Sequence, residues 1–237
     1  MTRDLREEIA RAVQAREDFL QLLAQSMHDM SQPLTAMLGT LDLALMQPGS
    51  VEKYKSSMEQ SLEYGEQLAR MMRMLREFAD GQKTAQSLER VLLGPLVKEI
   101  AEDFRPLAED RGIAFAVASD EPLAVLADPL RLRQTIASLL DIAIMNSAPP
   151  ASLRLSLARE DTAAVLLLRT VPPDEPAVSA EAPPPVEPPA APQPRREHRL
   201  RIAMSRLVVQ GYGGTFDDQS SAEQGIAFRI CLPSANE

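Results

Sequence analysis

One cysteine, two histidines and apolar runs that stop at six residues each remove a class of function from this chain. Cys231 has no partner for an internal disulfide, and one thiol with two distant imidazoles offers no metal-ligand spacing; a buried spectator thiol is the expected role. The run from Ala163 to Leu168 falls far short of the roughly 20 residues a membrane helix needs. The opening residues, Met-Thr-Arg-Asp-Leu-Arg-Glu-Glu, contain no apolar signal core, so a cytoplasmic protein with no membrane partner is expected. Basic residues are outnumbered, 25 Lys and Arg against 34 Asp and Glu, and a net charge of -9 disfavours nucleic acid. Glycine is missing altogether between Gly112 and Gly211, which leaves that stretch without the residue that usually lets backbone N-H groups close in on phosphates.

What the chain does have is apolar content of 45%, enough for a globular core, arranged in two regimes. From Leu5 to Met46, Ile9, Val13, Leu20, Leu23, Met27, Met30, Leu34, Met37, Leu38, Leu41 and Leu45 recur at helical spacing. Gln47-Pro48-Gly49-Ser50 interrupts them, and Ser50 is placed to cap a second helix marked by Tyr54, Met58, Leu62, Leu68, Met72 and Leu75 and ending near Asp80-Gly81. The reading is a helical hairpin over residues 1–81. Two antiparallel helices leave an apolar seam uncovered, so the spacing predicts a homodimer closed as a four-helix bundle.

Residues 82–90 read as a linker, and residues 91–237 as a mixed α/β domain. Helices are expected over Leu96–Glu109, Asp128–Met145 and Arg196–Gly211. The second opens with Asp128 at the cap and Pro129 at the first position. Strands are expected over Ile113–Val117, Leu123–Leu126, Leu153–Leu157, Ala164–Val171, Gly214–Asp218 and Gly225–Leu232. The fold class is therefore α+β, a helical hairpin followed by helices layered on one face of a sheet. Ten of the 23 residues from Pro172 to Pro194 are proline, which predicts an extended, disordered insertion.

The stretch His28-Asp29-Met30-Ser31-Gln32-Pro33-Leu34 stands out because an interior proline costs a helix about 3 kcal/mol. Helical geometry puts Gln21, Ala24, Gln25, Ser31, Gln32, Thr35 and Gly39 on the face of His28, a polar face turned from the seam that Met27, Met30 and Leu34 would form. The missing N-H of Pro33 leaves the Asp29 carbonyl without its helical partner, and a bend is expected there. A solvent-facing imidazole with one ring nitrogen held by Asp29 could serve as a nucleophile through the other. The helix pattern alone leaves that reading level with an ordinary surface histidine in a polar stripe.

These residues resemble the phosphoacceptor motif of the sensor histidine kinases of two-component signalling: a histidine, an acidic residue, three further residues, then proline and usually leucine. The hairpin around it is similar to that family's dimerisation and histidine-phosphotransfer domain. Asp128-Pro129-Leu130-Arg131-Leu132-Arg133-Gln134-Thr135-Ile136 resembles the start of the helix that carries the family's asparagine box. Ser205 to Gly214 and Ala227 to Pro233 resemble the closing helix and strands of its ATP-binding domain.

The resemblance implies His28 as phosphoacceptor, Asp29 as the group that orients it, and Gln32 as a group able to position a water for dephosphorylation of a receiver. It implies response-regulator receiver domains as partners and an upstream sensor as a source of signal. It also exposes departures. Ile142 and Ser138 stand where the family has asparagines, Thr170 where it reads adenine with aspartate, and Pro172 to Pro176 where it has glycines. Glu197-His198-Arg199-Leu200-Arg201 replaces a second glycine box. The expectation is a phosphorelay protein on a degenerate kinase scaffold, needing no cofactor and no metal. The alternatives are an active kinase that uses ATP and magnesium, and a non-catalytic dimeric scaffold. His198, within a charged run, is expected on a solvated face.

Overall fold

The structure is a computed structural model, and it describes the backbone of residues 2–83, 87–119, 122–149, 151–171, 196–221 and 225–235. The insertion expected over Pro172 to Pro194 lies outside the described residues. The chain forms two compact units, Met1–Ala85 with Arg195–Met204, and Gln86–Pro194 with Ser205–Glu237. Among the described residues no helix is long and apolar enough to cross a membrane.

The first unit is built on two long helices, α1 (Thr2–Met46) and α2 (Val51–Lys83), packed against each other. Their turn is closed locally. Ser50 Oγ accepts from the Lys53 N-H, the cap expected from sequence, and the Tyr54 hydroxyl accepts from the Gly49 N-H and donates to the Gln47 carbonyl. Phe19 and Phe78 stack across the far end with centroids 6.3 Å apart. Helix α1 carries Pro33 inside it without interruption.

The residues of α1 buried within the single chain differ from the apolar stripe expected to form the seam between two copies. Among the residues of α1 whose burial is described, Leu22, Ser26, Asp29 and Pro33 are buried, whereas Met27 and Leu34 are exposed. The bulky apolar residues of α1 fall into a second stripe, Val13, Leu20, Met27 and Leu34 at seven-residue spacing, joined by Leu38 and Leu45, and all six are exposed. Apolarity in the sequence marked this stripe, while the contact within one chain uses smaller and polar residues that let the helices approach.

The second unit contains β1 (Glu89–Leu92), α3 (Leu93–Asp110), β2 (Ile113–Ser119), β3 (Ala124–Ala127), α4 (Pro129–Asn146), β4 (Ala151–Glu160), β5 (Ala163–Val171), β6 (Thr215–Asp218) and β7 (Ala227–Pro233). Helix α5 (Arg196–Gly211) falls partly in each unit, so a single boundary at residue 91 does not describe the division. The linker is also shorter than expected, because α2 continues to Lys83 and β1 begins at Glu89. The cause is pairing: β1 runs antiparallel to β3, Val91 opposite Val125, and the Leu93 N-H extends the ribbon to the Leu123 carbonyl.

Five strands form the main sheet in the order β2-β4-β5-β7-β6, with β2 and β4 parallel and the other pairs antiparallel. Alternation buries Leu153, Leu155 and Leu157 of β4 with Phe228, Ile230 and Leu232 of β7, and α3 and α4 pack on the sheet. Asp128 caps α4 by accepting from the Arg131 N-H at 3.0 Å, with Pro129 at the first position, as the sequence predicts. Arg133 on α4 reaches Glu99 and Asp103 of α3 and ties the two helices together.

Candidate functional site

His28 lies on α1 with its imidazole exposed, on the polar face that helical geometry assigns to it. One turn later, Gln32 brings its side-chain Nε2 to 3.2 Å from the imidazole Nε2. Ser31 and Thr35 on the same face donate their hydroxyls to the Met27 and Ser31 carbonyls. Such bonds hold short polar side chains close to the helix and leave His28 standing clear of them.

Asp29 was expected beside the ring as its orienting carboxylate. The structure instead buries it, at 5% exposure, on the side of α1 that meets α2, where it accepts from Gln25 Nε2 at 3.1 Å. Consecutive helical residues point about 100° apart, so a neighbour in sequence is not a neighbour in space. Gln32, four residues on, is the group the structure brings to His28.

The second unit shows what occupies the positions where the resemblance implies nucleotide binding. Ile142 is fully buried in the core, an apolar side chain among Leu139, Leu140 and Ala143 along α4. Thr170 near the end of β5 is tied to Ile226: its Oγ1 accepts from the Ile226 N-H at 2.7 Å and donates to the Ile226 carbonyl at 3.0 Å. Beside it, Gly225 adopts φ +71°, and a Cβ there would collide with Thr170 Oγ1. Gly225→Ala combines a left-handed backbone with that collision. It is expected to destabilise the second unit by about 2 kcal/mol, read as an earlier chemical-denaturation midpoint with unchanged slope.

His198 is buried at 7% rather than solvated, because it shares one face of α5 with Ile202, Ser205 and Val209, all inward-facing. Its charged neighbours in sequence concealed that periodicity. Arg199, one residue on, is exposed.

No protein-family model matches the chain. Curated relatives do. It is 27% identical over 164 residues to the sensor protein CzcS of Cupriavidus metallidurans, covering 67% of this chain and 34% of that protein. To the sensor histidine kinase CusS of Escherichia coli O157:H7 it is 24% identical over 216 residues, covering 87% and 43%. The chain thus spans between about a third and a half of the length of these relatives. Among solved structures, the fold matches histidine kinase ThkA, solved in complex with the response regulator protein TrrA, with a TM-score of 0.64 at 16% identity over 96% of this chain and 66% of that one. The helical hairpin followed by an α/β sheet unit is the arrangement that matches that structure. In sequence the chain is similar to sensor histidine kinases of two-component systems, and in fold it matches a solved member of them.

Proposed function

We propose that this chain is a cytoplasmic histidine phosphotransfer protein, in which His28 exchanges a phosphoryl group with the aspartate of a response-regulator receiver domain and the ATP site has been lost. The observation that carries the reading is the contrast between the two units. His28 stands exposed on the hairpin with a polar group on its ring, while the nucleotide positions are filled by structure: Ile142 is packed in the core and Thr170 is committed to Ile226. An isoleucine side chain offers no lone pair to magnesium, which takes oxygen ligands, and the glycine-free stretch offers no phosphate cradle. These residues do not fit ATP with magnesium. The chain's kinship with a kinase solved on its response regulator supports the receiver as partner.

The protein is proposed to work as a homodimer. Exposed stripes on both helices, Met27, Leu34 and Leu38 on α1 with Met58, Leu62 and Met72 on α2, give a surface that a second copy would cover. An upstream sensor would act on the helix leading to His28. Active autophosphorylation is the second reading, favoured by the retained sheet-and-helix unit and by relatives that are named sensor kinases.

Calorimetric titration with ATP and magnesium separates the two. The expected result is no saturable heat at millimolar nucleotide; binding in the micromolar range would restore the kinase reading. Ile142→Asn is expected to weaken the fold rather than create affinity. It places an amide in the apolar core, costing about 2–4 kcal/mol, and thermal unfolding checks it.

A further inference from the structure

The contact between Gln32 and His28 carries information about the proton on the ring. A carboxamide nitrogen has two N-H donors and no lone pair to offer. The imidazole Nε2, 3.2 Å away, must therefore accept, and a ring nitrogen that accepts carries no proton. The neutral ring then bears its proton on Nδ1.

A second observation fixes which way round the amide sits. Gln32 Oε1 is buried and has no hydrogen-bond partner among the described residues. Turning the amide over would bury the NH2 group instead, leaving two N-H donors unpaired where one carbonyl oxygen stands now. Orphaned buried N-H groups are the rarer and costlier case. The orientation with the NH2 toward His28 is thus the one that leaves fewer buried groups unpaired.

We infer that Gln32 is a positioning residue that selects the Nδ1-H tautomer of His28 and keeps the Nε2 lone pair available as the phosphoryl acceptor. This rests on the reading of His28 as phosphoacceptor. It gives the orienting task expected of Asp29 to the residue that touches the ring, and it requires the amide to swing aside when phosphorus approaches. With a small donor such as phosphoramidate, the Nε2 lone pair forms the N-P bond. The donor's P-N bond breaks, ammonia leaves with that electron pair, and the Nδ1 proton passes to solvent. A ring held with its proton on Nε2 has no lone pair there and cannot take this step.

The test uses the full chain with 15N-labelled histidine at about pH 8.5, well above the range where imidazoles ordinarily protonate. Long-range 1H-15N correlation reads the tautomer, and His28→Ala assigns the His28 signals. In parallel, phosphoramidate labelling at His28 is followed for wild type, Gln32→Glu and Gln32→Leu, with circular dichroism checking that each variant is folded.

Wild type is expected as the Nδ1-H form. Glutamate can only accept, so Gln32→Glu is expected to move the proton to Nε2 and slow labelling by about tenfold or more, the scale of losing a correct protonation state. Gln32→Leu, which neither donates nor accepts, is expected to give a mixture of tautomers and an intermediate rate. A wild-type ring protonated on Nε2, or one tautomer common to wild type and Gln32→Glu, overturns the inference even if His28 labels normally. The expected tautomers with no labelling of His28 in any variant would uphold the role of Gln32 and remove the phosphoacceptor reading instead.

Discussion

Replacing His28 with alanine is expected to reduce phosphoryl uptake from a phosphorylated receiver to background, a loss of at least about 10²-fold. In the proposed transfer, the receiver's acyl phosphate P-O bond would break as the Nε2-P bond forms, and the aspartate would leave as carboxylate. His198 is the only other imidazole in the chain, and it is buried in α5. Because His28 is exposed, the same substitution is expected to change stability by no more than about 0.5 kcal/mol. Acid-labile label that disappears while the unfolding transition stays in place is the signature of lost chemistry rather than lost fold.

The second large effect is expected from the exposed stripe of α1. Leu34 and Leu38 are 44% and 51% exposed in a single chain. In a bundle of two copies each would be buried, gaining about 1.5–3 kcal/mol per side chain. The two-fold symmetry counts every substitution twice. The double variant Leu34→Glu with Leu38→Glu therefore removes about 6 kcal/mol or more of association energy, roughly four orders of magnitude in Kd. Analytical ultracentrifugation at micromolar concentration is expected to show wild type as dimer and this variant as monomer. If both sediment alike, the stripe has another use.

The sequence made some of this architecture legible and concealed the rest for identifiable reasons. Helices with strong punctuation were readable: Ser50 and Asp128 cap where expected, and Pro129 opens α4. Strands with clean alternation, such as Leu153-Leu155-Leu157, were readable too, their ends extended by ladder partners that single-sequence patterns do not contain. Strand β1 was missed because it is four residues long, only Val91 points inward, and its partner β3 lies more than 30 residues away.

At the candidate site, helical spacing put Gln32 on the face of His28, and the structure brings the two together. Adjacency in sequence misled for Asp29, which turns inward to Gln25. The apolar stripe that includes Met27 and Leu34 was legible as spacing and is exposed in the single chain, whereas the contact within the chain, through Leu22, Ser26, Asp29 and Pro33, carries no such apolar pattern. The departures from the resembled family at Ile142 and Thr170 were visible as residue identity. Only the structure shows that Thr170 has been given other work, fastening β5 to the segment before β7.

The most direct test of the central claim is a paired labelling experiment on the purified full chain, with [γ-32P]ATP in one reaction and 32P-phosphorylated receiver domains in the other, and His28→Ala alongside each. Label arriving from a receiver, absent in His28→Ala, with none arriving from ATP, is the predicted result. Label on His28 from ATP, or no label on His28 from any receiver, would contradict it.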